Sequence, residues 1–164
     1  SADPRPLAEF RDEFWDLTLE VNQTAPYLLS KAVLPHLRSQ RWGRIITVAS
    51  INSRVPSLHG GAYVASKHGV LGMMRTLALE HAAEGITVNC VCPGPVRTRV
   101  NDLRVDYDVR RLGREREEYE RGLTPIGGRL DPEDISPLIV YLAGEDARMI
   151  TGQAYDVDGG VCMA

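Results

Sequence analysis

Apolar residues recur at alternating steps of three and four from Leu7 through Phe10, Phe14 and Leu17 to Val21. That spacing predicts the apolar stripe of an amphipathic helix. The stripe continues through Ala25, Leu28 and Ala32 to about Arg38, with Pro26 and Pro35 inside it as points where the helix kinks or divides. Gly43 punctuates the chain, and 44–49 is a short, nearly continuous apolar run, the pattern of a strand covered on both faces. Residues 50–61 carry Ser, Asn, Pro and Gly and read as loop. A second helix is predicted from about Ala62 to Ala83, with Gly85 placed to end it. A second strand follows over Ile86–Cys92, stopped by Pro93-Gly94-Pro95. Residues 100–121 are dense in Arg, Glu and Asp with few apolar anchors, and read as exposed helix or a mobile flap. Asp131-Pro132-Glu133-Asp134 starts a further helix, with an N-cap acid, proline in the first turn and acids at the positive helix end. Ile135, Leu138, Ile139 and Leu142 give that helix its buried side, and 154–157 forms a short final strand.

Helix and strand alternate through the whole chain, without repeats or a low-complexity linker. One α/β domain over 1–164 is therefore expected, built on a parallel sheet with right-handed crossovers. Ligands on such sheets bind beyond the carboxyl ends of the strands, so the residues after Ala49 and Cys92 are where chemistry is expected.

Composition narrows the picture only modestly. The 164 residues include 19 basic and 22 acidic side chains, a formal net charge of −3, which excludes a strongly basic nucleic-acid binder. No apolar run approaches the ~20 residues of a membrane helix, and no charged-then-apolar leader opens the sequence. Three cysteines without framework spacing favour a reducing compartment, so a cytoplasmic location is expected. Cys90 and Cys92 share one face of a strand, and two thiols do not make a metal site; buried core positions are expected for both. His36, His59, His68 and His81 show no ligand spacing; His59 either lines a pocket or sits as an ordinary surface residue.

The candidate chemistry lies at the predicted strand ends. Ser50 follows the first strand, Tyr63 lies thirteen residues on, and Lys67 stands four after Tyr63 on the same helical face. A free tyrosine has a pKa of about 10, and a nearby cation favours its phenolate. A tuned Tyr beside a hydroxyl exchanges a proton with a carbonyl or alcohol oxygen. On spacing alone, a solvated Tyr and Lys are an equally open reading, as is an ordinary strand-end hydroxyl for Ser50, a helix cap for Thr98, a solvated helix position for Asn22 and simple punctuation for Pro93-Gly94.

The wider context distinguishes these readings. Gly43-Arg44-Ile45-Ile46-Thr47-Val48, Ser50 with Tyr63-Val64-Ala65-Ser66-Lys67, and Ile86–Thr98 resemble segments of the short-chain dehydrogenase/reductase family. So do Leu19-Glu20-Val21-Asn22 and the tail Ile150–Gly160, in the family's order along nearly the whole chain. The resemblance implies a Rossmann-type doubly wound parallel sheet and an NAD- or NADP-dependent oxidoreductase interconverting a small-molecule secondary alcohol and a ketone. It implies Tyr63 as general acid/base, Lys67 as the residue that lowers its pKa and bonds the nicotinamide ribose, and Ser50 as the group that orients the substrate carbonyl. It implies Asn22 as the holder of a water in a proton relay to Lys67. Pro93 and Gly94 would shape a turn from which the Val96 backbone and the Thr98 hydroxyl meet the nicotinamide carboxamide. A homo-oligomer, tetramer or dimer, is the family expectation, with 7–38 and 62–83 as interface helices. The charged 104–121 region corresponds to one that commonly covers the substrate.

One departure stands out. No Gly-rich turn follows a strand in the way that receives a cofactor pyrophosphate at a helix N-terminus, and the residue that selects NAD or NADP is missing with it. Three strands are expected here against six or seven in a full doubly wound sheet. The sequence therefore reads as the C-terminal, catalytic portion of such a fold. A half-length subunit completed by another chain, or a non-catalytic subunit, are the alternatives.

Overall fold

A computed structural model describes residues 4–163. Among them lies a three-stranded parallel sheet of β1 (Gly43–Val48), β2 (Ile86–Pro93) and β3 (Ala154–Val157), in the order β1-β2-β3. The register pairs Gly43 with Ile86 and Val48 with Val91, and then Cys90 with Ala154 and Pro93 with Val157. Helices α1 (Asp12–Leu19), α2 (Ala25–Gln40), α3 (Gly61–His81), α4 (Arg99–Leu112), α5 (Arg116–Arg121) and α6 (Pro132–Ala143) complete the chain.

Period-two alternation along β2 splits the core across the sheet. Ile86, Val88, Cys90 and Cys92 pack on one face with Val70, Leu71, Met74 and Ala78 of α3 and with Leu34 and Leu37 of α2. Val91 packs on the other with Ile135, Leu138, Ile139 and Leu142 of α6. Helices on both faces make this the doubly wound arrangement the strand pattern predicts. Every residue of β2 from Ile86 to Cys92 is buried, and each fully buried Val or Met side chain contributes roughly 1.5–3 kcal/mol. Gly85 ends the α3 segment in the left-handed region at φ 78°, with its α-hydrogen face only 2.3 Å from Arg41 O by the position a Cβ would take, so glycine is required there. Asp131 and Asp134 form a capping box at the start of α6, where the Asp131 N–H donates to Asp134 Oδ2 at 2.8 Å.

The N-terminal stretch departs from expectation. It is not one helix: a short 3₁₀ turn (Leu7–Glu9) precedes α1, and a π-helical turn (Glu20–Thr24) separates α1 from α2. Pro26 brings no N–H to the ladder at the start of α2, and the chain widens by one turn immediately before it. The apolar stripe is also not a core face. Leu17, Val21, Leu28 and Leu29 are 51–71% exposed, and Val21 and Leu29 line an open cavity along the edge of β1. Residues 100–121 are ordered into α4 and α5. Val105 and Asp108 on α4 are buried, so this segment is more than an exposed helix. No described helix is long and apolar enough to cross a membrane, and the described residues hold no cluster of metal-ligating side chains.

Candidate active site

Parallel strands end together, and here that brings distant residues to one rim. The carboxyl ends of β1 and β2 open into a cleft of about 570 Å³ lined by Ser50, Tyr63, Lys67, Pro93, Gly94, Val96 and Thr98. Seven of the eight residues singled out from the sequence thus meet in one place. Asn22 does not join them. It lines a second cavity along the open edge of β1, and Lys67 is common to the walls of both. Its Nδ2 donates to Thr18 O at 3.0 Å within the π-helical turn.

Ser50 leaves β1 in extended conformation and caps the 3₁₀ turn Ile51–Ser53, its Oγ accepting the Asn52 N–H at 3.1 Å. The cap fixes the hydroxyl on the wall of the cleft that Tyr63 shares, where it works to lower the pKa of the phenol. Lys67 lies one turn beyond Tyr63 on α3. Its Nζ donates to Val48 O at 3.1 Å and stands 5.6 Å from the Tyr63 ring centroid. The charges behave differently from the sequence expectation. Burial pushes the Tyr63 phenol above its ordinary value of 10.0, and the nearby Ser50 offsets only part of this. The expected lowering by Lys67 is not found: its ammonium donates to the Val48 carbonyl at the end of β1 and is not among the groups that shift the phenol. Burial pushes Lys67 itself below its ordinary value. Both cysteines are buried core residues, and burial raises the Cys90 thiol to about 12, leaving it a neutral packing group.

The opposite wall is the turn after β2. The Gly94 N–H donates to Val157 O at 3.0 Å, and a Cβ at Gly94 would lie 2.8 Å from Asp158 Cα. Only glycine lets the turn close against the C-terminal segment there. Val96 forms an isolated parallel bridge with Leu130, made by Arg97 N–H to Leu130 O and Leu130 N–H to Pro95 O, bonds that leave the Val96 N–H unused. Thr98 caps α4, its Oγ1 accepting the Asn101 N–H at 3.3 Å, so its hydroxyl has a structural task whatever else it does.

Several cleft residues were not foreseen from the sequence. Asp108, 3% exposed, accepts from Arg104 Nε at 2.6 Å, Arg111 Nη2 at 3.1 Å and the Tyr119 hydroxyl at 3.0 Å, tying α5 to α4. Arg104, Asp108 and Tyr119 all line the cleft. Burial works to raise the Asp108 carboxyl, but Arg104, Arg111 and Tyr119 outweigh it and hold it below its ordinary range. The Arg104–Asp108 and Asp108–Arg111 spacings are those of helical ion pairs and were readable; the Tyr119 contact depends on how α5 folds back. His59 lines the cleft and meets Tyr107 of α4 with Nδ1 2.6 Å from its hydroxyl, so the pocket reading of this residue holds. Arg54 pairs with Asp156 at 2.6 Å and also bonds Ala154 O, anchoring the turn after Ser50 to β3.

Comparison with known proteins places the chain in a family. Residues 1–162 match the family model described as enoyl-(acyl carrier protein) reductase. The chain is 35% identical to D-beta-hydroxybutyrate dehydrogenase of Cupriavidus necator over 158 residues, covering 94% of this chain and 61% of that protein. An actinorhodin polyketide ketoreductase crystallised with NADPH superposes with a TM-score of 0.91 at 34% identity, over 98% of this chain and 65% of that one. Carveol dehydrogenase from Mycobacterium avium in complex with NAD gives 0.89 at 30% identity, over 96% and 60%. The chain thus spans about three fifths of the length of these relatives. By the family match over residues 1–162 and the similarity to these dehydrogenases and reductases, this chain belongs to the short-chain dehydrogenase/reductase family.

Proposed function

We propose that the protein containing this chain is an NAD- or NADP-dependent oxidoreductase that interconverts a secondary alcohol and a ketone. The observation that carries this is the meeting of Ser50, the half-buried Tyr63 and Lys67 in the wall of one cleft where β1 and β2 end. Tyr63 gives its phenolic proton to the carbonyl oxygen in ketone reduction and takes it back in alcohol oxidation. Ser50 orients that oxygen. Lys67, common to both cavities, passes the proton onward, and Asn22 on its far side supports a relay through water.

A nicotinamide fits the residues on this chain. The turn closed by Gly94 is one that any larger residue would push open, and the unused Val96 N–H lies in the cleft wall. Val96 and the Thr98 hydroxyl would hold the carboxamide, with Pro93 and Gly94 shaping the turn and Tyr63 and Lys67 meeting the ribose. When bound, the cofactor supplies or accepts the hydride. The exposed apolar residues of α1 and α2 suit a second copy of the chain, and light scattering that returns a monomer mass would reject the homo-oligomer reading. The reaction itself is tested by a panel of secondary alcohols offered with NAD and NADP. Cofactor-dependent absorbance at 340 nm is expected with at least one pair; its absence with every alcohol, and with the matching ketones in reverse, rejects the proposal.

A further inference from the structure

The charge of the cleft goes further than the reaction type. Among the described residues lining it, three are formally charged: Lys67, Arg104 and Asp108. Lys67 is engaged with Val48 O at the base of the site. Asp108 is not available to a ligand as a free acid, because Arg104, Arg111 and the Tyr119 hydroxyl already surround it. Arg104 contributes only Nε and Nη2 to that pair, which leaves Nη1 unused. Much of the remaining wall is apolar, with Val55, Pro56, Val96, Val100, Leu123 and Val161. A guanidinium in such a wall is weakly screened, and its unspent donors attract an anion more strongly than they would in water.

The guanidinium is also held in place. The buried Asp108 carboxylate clamps one edge, and Arg104 lies 5.8 Å from the centroid of the Tyr107 ring, whose hydroxyl is fixed by His59. A long side chain restrained from both sides loses little freedom on binding. We propose that Arg104 selects an alcohol or ketone that carries an anionic group, a carboxylate or a phosphate, at the end remote from the reacting carbon. Arg104 then acts as a specificity residue on the wall that α4 and α5 give the cleft. The proposal rests on the oxidoreductase reading above for its substrate, though the anion site stands on its own geometry.

The test compares matched ketones. Acetoacetate is set against its methyl ester, and fructose 6-phosphate against fructose, each with reduced cofactor. For one pair, kcat/KM is expected to favour the anion by about 10- to 100-fold. Which pair responds identifies carboxylate or phosphate as the group recognised. In Arg104→Gln that ratio falls to near one, and Arg104→Lys restores part of it. A wild-type ratio near one in both pairs, or a ratio that survives Arg104→Gln, overturns the proposal. If no ketone turns over at all, the oxidoreductase reading fails, and calorimetric titration of the protein with malonate and with inorganic phosphate decides the anion site separately. Saturable binding that Arg104→Gln abolishes supports it, and no binding, or equal binding by the variant, overturns it.

Discussion

Gly94→Ala probes the turn on which the cofactor side of the site depends. The added methyl would lie 2.8 Å from Asp158 Cα, 3.0 Å from Asp158 Cβ and 3.0 Å from Asp158 O. Two of these are backbone atoms, so no side-chain rotation relieves the contact. Either the Pro93–Val96 turn or the segment after β3 must move. Overpacking of this kind costs about 1–3 kcal/mol. At ~2 kcal/mol, a protein of this size or somewhat larger loses roughly 4–8 °C in Tm. The Gly94 N–H bond to Val157 O, 3.0 Å long, is the first to be strained. Because Val96 follows two residues later, the same movement displaces the N–H assigned to the carboxamide. The expected pattern is a lowered Tm by scanning calorimetry together with a cofactor KM raised several-fold and a smaller change in kcat. An unchanged Tm with an unchanged cofactor KM would refute both the steric argument and the role given to this turn.

Other consequences can be measured alongside. Met74, 1% exposed between α3 and β2, leaves a cavity when cut to alanine; the expected cost is ~3 kcal/mol, or roughly 10 °C in Tm. Burial holds the Tyr63 phenol above 10.0, so it stays protonated near neutrality and serves reduction directly, whereas oxidation draws on its phenolate. Alcohol oxidation is therefore expected to quicken about tenfold per pH unit on the approach to that value, while ketone reduction stays flat, as initial rates in both directions would reveal. Asp108 has a folded pKa below its ordinary 3.8, so its stabilising effect is complete above that value and is lost as pH falls through the folded one. Asp108→Asn should narrow the Tm difference between about pH 6 and about pH 3, and an unaltered difference would count against the Arg104–Asp108–Arg111 cluster.

Local pattern fixed some features and could not reach others. The strands β1 and β2 were legible because a run of apolar residues bounded by Gly43 and by Pro93-Gly94 leaves little else for the backbone to do. Tyr63 and Lys67 were legible as an i, i+4 pair, and Ser50 as the residue after a strand. The Leu7–Val21 stripe was legible as periodic, but its exposure was not, since periodicity says that a helix has an apolar side and not what covers it. The π-helical turn at Glu20–Thr24 follows from Pro26, yet its effect on Asn22, turned into the cavity beside β1, depends on where that strand lies. The rise in the Tyr63 pKa comes from burial contributed by residues far along the chain, which local spacing does not report. The Tyr119–Asp108 contact needs α5 to fold back across α4, and nothing between Leu112 and Arg116 encodes that angle in a readable way.

Replacement of a single oxygen atom addresses the central claim most directly. Tyr63→Phe keeps the ring and its packing and removes only the group said to carry the proton. General acid/base catalysis of this kind is worth about 10²–10⁴ in rate. The variant is therefore expected to lose kcat by that factor in both directions while its cofactor Kd, measured by fluorescence titration, changes less than about threefold. A variant that binds cofactor normally and turns over within a factor of about two of the wild type would contradict the assignment of Tyr63 as the acid/base.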